Sequence, residues 1–148
     1  RGCLEAYASK TGMGRRITHE VLCEDRQTLL TELCGGHHYG NIRSGLLRRA
    51  YEAGDELTLE TLHEAATYLG QGIGSLITVF GPDMVVLGGG VLEALGEALL
   101  PRVKEAAQAV TFPRSSFADT RIRLAALGDD AVALGAVAWA MQQSAATG

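Results

Sequence analysis

Hydrophobic positions recur most regularly between Glu56 and Phe80. Leu62, Ala65, Ala66, Leu69, Ile73, Leu76, Ile77 and Phe80 fall at three- and four-residue spacing, which puts them on one stripe of a single long helix. Gly70, Gly72 and Gly74 lie inside that stretch, and each is disfavoured by up to about 1 kcal/mol relative to Ala in a helix interior. They are therefore read as a contact surface for another backbone element rather than as a break. Gly81-Pro82-Asp83 is a turn. The run Met84-Val85-Val86-Leu87 then changes period and suits a strand buried on both faces. Gly88, Gly89 and Gly90 follow directly, so that the backbone can turn and approach a ligand closely.

The flanking segments carry shorter patterns. Leu4 to about Leu22 reads as helical, with Gly12 and Gly14 dividing it into two short helices. Gln27 to Leu33 is a further short helix, stopped by Cys34-Gly35-Gly36, and His37 to Gly40 is a loop. Ile42, Leu46, Leu47 and Ala50 predict a helix running to about Ala53, after which Gly54 stops it and Asp55 caps the next. Beyond the glycine turn, Leu92, Leu95, Leu99, Val103, Ala106 and Val110 again keep helical spacing. Proline suits a first turn and disrupts an interior, so a short turn before Leu100 and a main helix from Pro101 to Val110 are predicted. Phe112 to Asp119 reads as a loop. Arg121 to Ala125 alternates polar and apolar, as in a strand with one covered face. Gly128-Asp129-Asp130 caps a last helix from Ala131 to about Gln142. The order helix, strand, helix, strand, helix gives a parallel strand pair with a right-handed crossover. The fold class is α/β, mostly helical, in a single domain spanning 1–148.

Composition narrows the function classes. Apolar residues make up 47% of the 148 but aromatics only 5%, alongside 19 glycines, so the core is aliphatic and closely packed. A net charge of −4 with scattered arginines leaves no basic footprint for a phosphate backbone, and no nucleic acid is expected at this segment. No apolar run reaches the roughly 20 residues of a membrane span, and the first residues lack a signal-peptide core. No membrane contact and a cytoplasmic location are expected. Cys3, Cys23 and Cys34 are odd in number and widely spaced, which does not make a disulfide framework. The chain opens on Arg1-Gly2-Cys3 without a methionine, and a fragment of a longer protein is expected.

The candidate chemistry is sparse. Gly88 to Gly90 after a strand and before a helix suits a ligand that needs backbone N–H groups at the carboxyl end of that strand. Leu92 and Glu93 follow, so this is not the Gly-x-Gly-x-x-Gly fingerprint, and no Gly-x-x-x-x-Gly-Lys-Ser/Thr phosphate loop exists in the chain. From the motif alone, a nucleotide site and a structural turn are equally supported. Cys3 and Glu5 in isolation read as a small hydrophobe and a solvated carboxylate. Cys34, His37 and His38 offer three metal donors where structural zinc needs four. His19 and His63 sit on helices without a partner that spacing identifies, and Asp129-Asp130 fits helix capping.

Several stretches taken together carry a family resemblance: Gly2-Cys3-Leu4-Glu5-Ala6-Tyr7-Ala8-Ser9, Ala53-Gly54-Asp55, Tyr68-Leu69-Gly70, Pro82-Asp83 leading into Val85-Val86-Leu87-Gly88-Gly89-Gly90-Val91, and Leu127-Gly128-Asp129-Asp130-Ala131 with Leu134-Gly135-Ala136. In this order they resemble the carboxyl-terminal half of the ROK family, which comprises bacterial sugar kinases such as glucokinase and sugar-responsive transcriptional repressors. The resemblance implies an actin-like ATPase fold in which two lobes close around ATP, with Mg, and a hexose. It also implies that Gly88, Gly89 and Gly90 lie against the adenosine and that Glu5 hydrogen-bonds sugar hydroxyls. Cys3 matches the last cysteine of the family's zinc knuckle. The other zinc ligands, the catalytic aspartate and the phosphate loop would precede Arg1, so Cys3 is an orphan ligand and the zinc site is incomplete. Lys10 stands where the family commonly has glycine, and the Cys34 to Asn41 insert has no counterpart. A homo-oligomer is implied. A kinase half, inactive alone, and the ligand-sensing, dimerising part of a repressor are both expected readings, with no catalytic residue in the chain itself.

Overall fold

A computed structural model describes residues 2–146. The elements run Leu4–Ala8 (α1), Lys10–Leu22 (α2), Leu29–Leu33 (α3), Ser44–Glu52 (α4), Glu56–Phe80 (α5), Met84–Leu87 (β1), Gly90–Val110 (α6), Arg114–Asp119 (α7), Arg121–Leu124 (β2), a 3-10 turn at Gly128–Asp130, and Ala131–Ala146 (α8). The long helix predicted from the central stripe keeps both of its predicted ends. Asp55 caps it, with its carboxylate accepting from the Thr58 backbone N–H at 3.0 Å. Its closest partner is α6. A Cβ on Gly70 would overlap the Val103 carbonyl, and one on Gly74 would crowd that of Ala107. Gly72 turns the other way, toward the Leu4 side chain of α1. The three glycines thus form contact surfaces against two different helices.

β1 and β2 pair in parallel with Val85 opposite Ile122 and Leu87 opposite Leu124, joined by a crossover through α6 and α7. Leu87 and Ile122 enter a core that also holds Ile17, Leu30, Tyr39, Leu47, Leu62, Ile77 and Val103. The expectation that β1 is buried on both faces is corrected. Leu87 is 6% exposed, whereas Met84 and Val86 are 43% and 59% exposed, because the helices of this chain cover only one side of the two-stranded sheet.

Three further expectations change. The first helical stretch divides at Ser9, not at Gly12 or Gly14. Ser9 adopts extended torsions and its hydroxyl accepts from Gly12 N–H at 3.0 Å, which is N-capping. Gly12 and Gly14 stay helical, and side chains there would strike the backbones of Ala6 and Tyr39. The helix after the glycine turn is not divided at Pro101. Pro101 and Glu97, the residue one turn earlier whose carbonyl loses its donor, are both exposed, so the missing bond falls on the solvent side of the helix. On the opposite side Leu95, Leu99, Val103 and Ala107 are buried and hold both halves to the core. The predicted loop from Phe112 to Asp119 contains α7, which Phe117 anchors against the core. Its six residues are too few to show a period.

α8 follows the 3-10 turn and is apolar all round, yet Val132, Leu134, Val137, Trp139 and Met141 are all exposed. A helix of that composition is normally buried. The capping role expected of Asp129 concerns a side chain outside the described residues, as do Arg1 and residues 147–148. No helix among the described residues is long and apolar enough to cross a membrane.

Candidate functional site

The parallel ladder ends where Ala125 N–H donates to the Leu87 carbonyl at 2.7 Å. The chain leaves the sheet there and begins α6 within three residues, and the three glycines of the turn differ in what a side chain would meet. Gly89, at the N-cap, has φ of 108°, a torsion that side-chain-bearing residues avoid. No atom lies within 4 Å of the position its Cβ would take. Its need is therefore torsional, and the space in front of it is open. Gly90 adopts ordinary helical torsions, but its Cβ would lie 3.0 Å from the Ser44 hydroxyl of α4. Gly88 would make an ordinary contact with Ala125 at 3.4 Å.

The open space is one wall of a cavity of about 380 Å³, within the roughly 300–1,000 Å³ of small-molecule sites. Gly88, Gly89 and Gly90 form that wall. Leu62, Ala66 and Leu69 of α5 and Leu99 and Val103 of α6 also line the cavity. The long helix thus supplies small and aliphatic side chains at the carboxyl end of β1. Sequence reasoning missed the third side, where Ser9, Lys10 and Thr11 line the cavity at the start of α2. The signal was Ser9 itself, an N-cap residue type directly before a helix.

The remaining site candidates lie elsewhere. Glu5 and Cys3 are exposed at the start of α1 and neither lines the cavity. Cys3 offers one thiolate, and among the described residues no three His, Cys, Asp or Glu side chains gather to hold a metal. The residues present do not fit a structural zinc, which needs four donors. Cys34 is half-buried and its thiol is pushed up by burial, which makes it less nucleophilic. His37 Nδ1 lies 3.2 Å from the Tyr39 hydroxyl, which bonds Thr31 Oγ1 at 2.6 Å; this ties the insert to α3. His63 packs edge-on against Tyr51, and burial, with help from the Arg102 charge, holds its imidazole below the usual value.

The ROK family profile matches residues 1–143. The chain is 34% identical over 142 residues to the glucokinase of Halalkalibacterium halodurans, covering 96% of this chain and 41% of that protein. It is 26% identical over 137 residues to the xylose repressor of Caldicellulosiruptor bescii, covering 93% of this chain and 33% of the repressor. In structure it superposes with a TM-score of 0.72 and 23% identity on a ROK family glucokinase from Streptomyces griseus in complex with glucose and AMPPNP, covering 88% of this chain and 42% of that one. The chain thus spans about two fifths or less of the length of these relatives. Its helices and parallel strand pair are part of the actin-like ATPase fold of the ROK sugar kinases, and with the profile running from the first residue to residue 143, this chain belongs to the ROK family.

Proposed function

We propose that this chain is the nucleotide-side part of an ATP-dependent kinase for a glucose-type hexose, a single domain that is inactive without the rest of such a protein. The observation that carries this reading is the cavity in front of Gly88, Gly89 and Gly90. It is apolar on most sides, as a purine requires, and open at the one residue whose φ demands glycine. Likeness to a glucokinase at 34% identity supports the kinase class. The fold similarity to a glucokinase that holds glucose and AMPPNP supports ATP and hexose as the ligands, and Mg accompanies ATP as part of the proposal. In this reading the cavity holds adenosine, exposed Glu5 is available to a sugar, and the partner groups for phosphoryl transfer come from outside the chain. Catalysis of that kind rests on positioning and charge stabilisation, and no residue here is assigned a catalytic role. A cytoplasmic location and a homo-oligomeric parent belong to the same proposal.

A second reading, the ligand-sensing and dimerising part of a sugar-responsive repressor, is favoured by the 26% identity to the xylose repressor. Binding and turnover test the first reading together. The purified 148 residues are expected to bind ATP without consuming it in the presence of glucose, and Gly89→Val is expected to abolish binding while thermal melting shows a folded protein. Glucose-dependent turnover by the chain alone would overturn the incomplete-enzyme reading. Unchanged ATP affinity in folded Gly89→Val would remove the turn from the site.

A further inference from the structure

We infer that Lys10 binds the phosphate of a nucleotide whose base and sugar fill the Gly88–Gly90 cavity, and so makes this site select nucleotides over nucleosides. This rests on the nucleotide reading of the cavity proposed above. Among the described residues that line the cavity, Lys10 alone is charged. Its side chain is exposed, and among the described residues it makes no ion pair, so its ammonium group is available to an incoming anion. The backbone around it has the same polarity. At the start of α2 the Gly12 N–H is taken by the Ser9 hydroxyl at 3.0 Å and the Met13 N–H by the Ser9 carbonyl at 2.9 Å, which leaves the Lys10 and Thr11 amides outside the helical ladder. At the same cavity the 21-residue α6 starts at Gly90 with no side chain capping it. Two helix N-termini with their positive ends and one lysine therefore border a cavity whose other walls are aliphatic. That combination suits a ligand with a flat apolar body and an anionic tail. A neutral nucleoside would use only the apolar part.

The test compares adenosine and ADP by calorimetry on the 148-residue chain, with the amide NMR signals of Gly88, Gly89 and Gly90 reporting the place of binding. The wild-type chain is expected to bind ADP more tightly than adenosine, with an affinity that falls as salt rises. Lys10→Gln is expected to weaken ADP about five- to tenfold, the size of one charge-assisted contact at an exposed rim, and to leave adenosine affinity unchanged. Lys10→Arg is expected to keep the preference. If both ligands bind at the glycines and Lys10→Gln leaves their affinity ratio as it was, the role of Lys10 is overturned while the cavity reading stands. If neither ligand shifts the glycine signals of the wild-type chain, the cavity reading and the role of Lys10 fall together.

Discussion

Thr61 is 2% exposed on α5, and its hydroxyl has no hydrogen-bond partner among the described residues. A buried polar group left unpaired is destabilising by about 1–3 kcal/mol, whereas valine fills the same volume without it. Thr61→Val is expected to raise stability by about 1 kcal/mol in urea titration; a loss would mean that the hydroxyl has a partner in solution. Ser9 shows the opposite case, a hydroxyl whose role is settled by one bond to Gly12 N–H. Its identity as an N-cap type was visible in the sequence, but its power to divide a helix was not. That power depends on α1 and α2 packing separately on α5, with a Gly12 close enough to the Ala6 carbonyl to exclude any Cβ. Residue type shows which torsions and bonds are possible, and the neighbours decide which are used.

At the scale of elements, Asp55 is the main junction. Besides capping α5 it accepts from the Leu29 backbone N–H at 2.7 Å and the Thr28 hydroxyl at 2.9 Å, so one carboxylate holds the N-termini of α3 and α5. Burial alone would push its pKa up, but the hydrogen bonds from Thr58, Leu29 and Thr28 outweigh that and hold it below the usual carboxylate range. A depressed folded-state pKa contributes stability that is present above the unfolded-state value of about 3.9 and is lost as pH falls through the folded-state value. Asp55→Ala is expected to lower stability by about 1–2 kcal/mol at pH 7. Its difference from the wild-type chain should narrow as pH drops below about 4. A gap independent of pH would show that the effect is packing, not ionisation. The cap on α5 was legible from Gly54-Asp55 before a periodic run. The bond to α3 was not, because it joins residues 26 apart. In the same way the stripe on α5 predicted the helix and the close approach at Gly70 and Gly74, but only the packed structure shows that Gly72 meets α1 instead of α6.

For the molecule as a whole, the apolar outer side of the sheet at Met84 and Val86 and the exposed apolar residues of α8 are surfaces that the described residues leave uncovered. Trp139, the one tryptophan of the chain, is on α8 and is 64% exposed. Its fluorescence is expected to be that of a solvated indole, readily quenched by iodide and little shifted by urea concentrations that abolish the helical circular dichroism. Blue-shifted emission protected from iodide would show that α8 is covered in solution. The same scale bears on activity: among the described residues the cavity is lined by one cation, Lys10, and no three His, Cys, Asp or Glu side chains gather to hold a metal. In the proposed nucleotide reading the groups for transfer come from residues outside this chain.

By itself the sequence determined the long helix α5, both strands and the glycine turn, because hydrophobic spacing and glycine torsions are local properties that survive without knowing the partner. It also carried the family, through ordered motifs spread across the whole chain. The tertiary structure decided which side of β1 is covered, how Pro101 is tolerated, and that Lys10 shares a cavity with Gly88–Gly90. Those outcomes depend on how the fold brings together residues far apart in sequence, such as Lys10 and Gly89 around one cavity, and no local pattern encodes the distance between them.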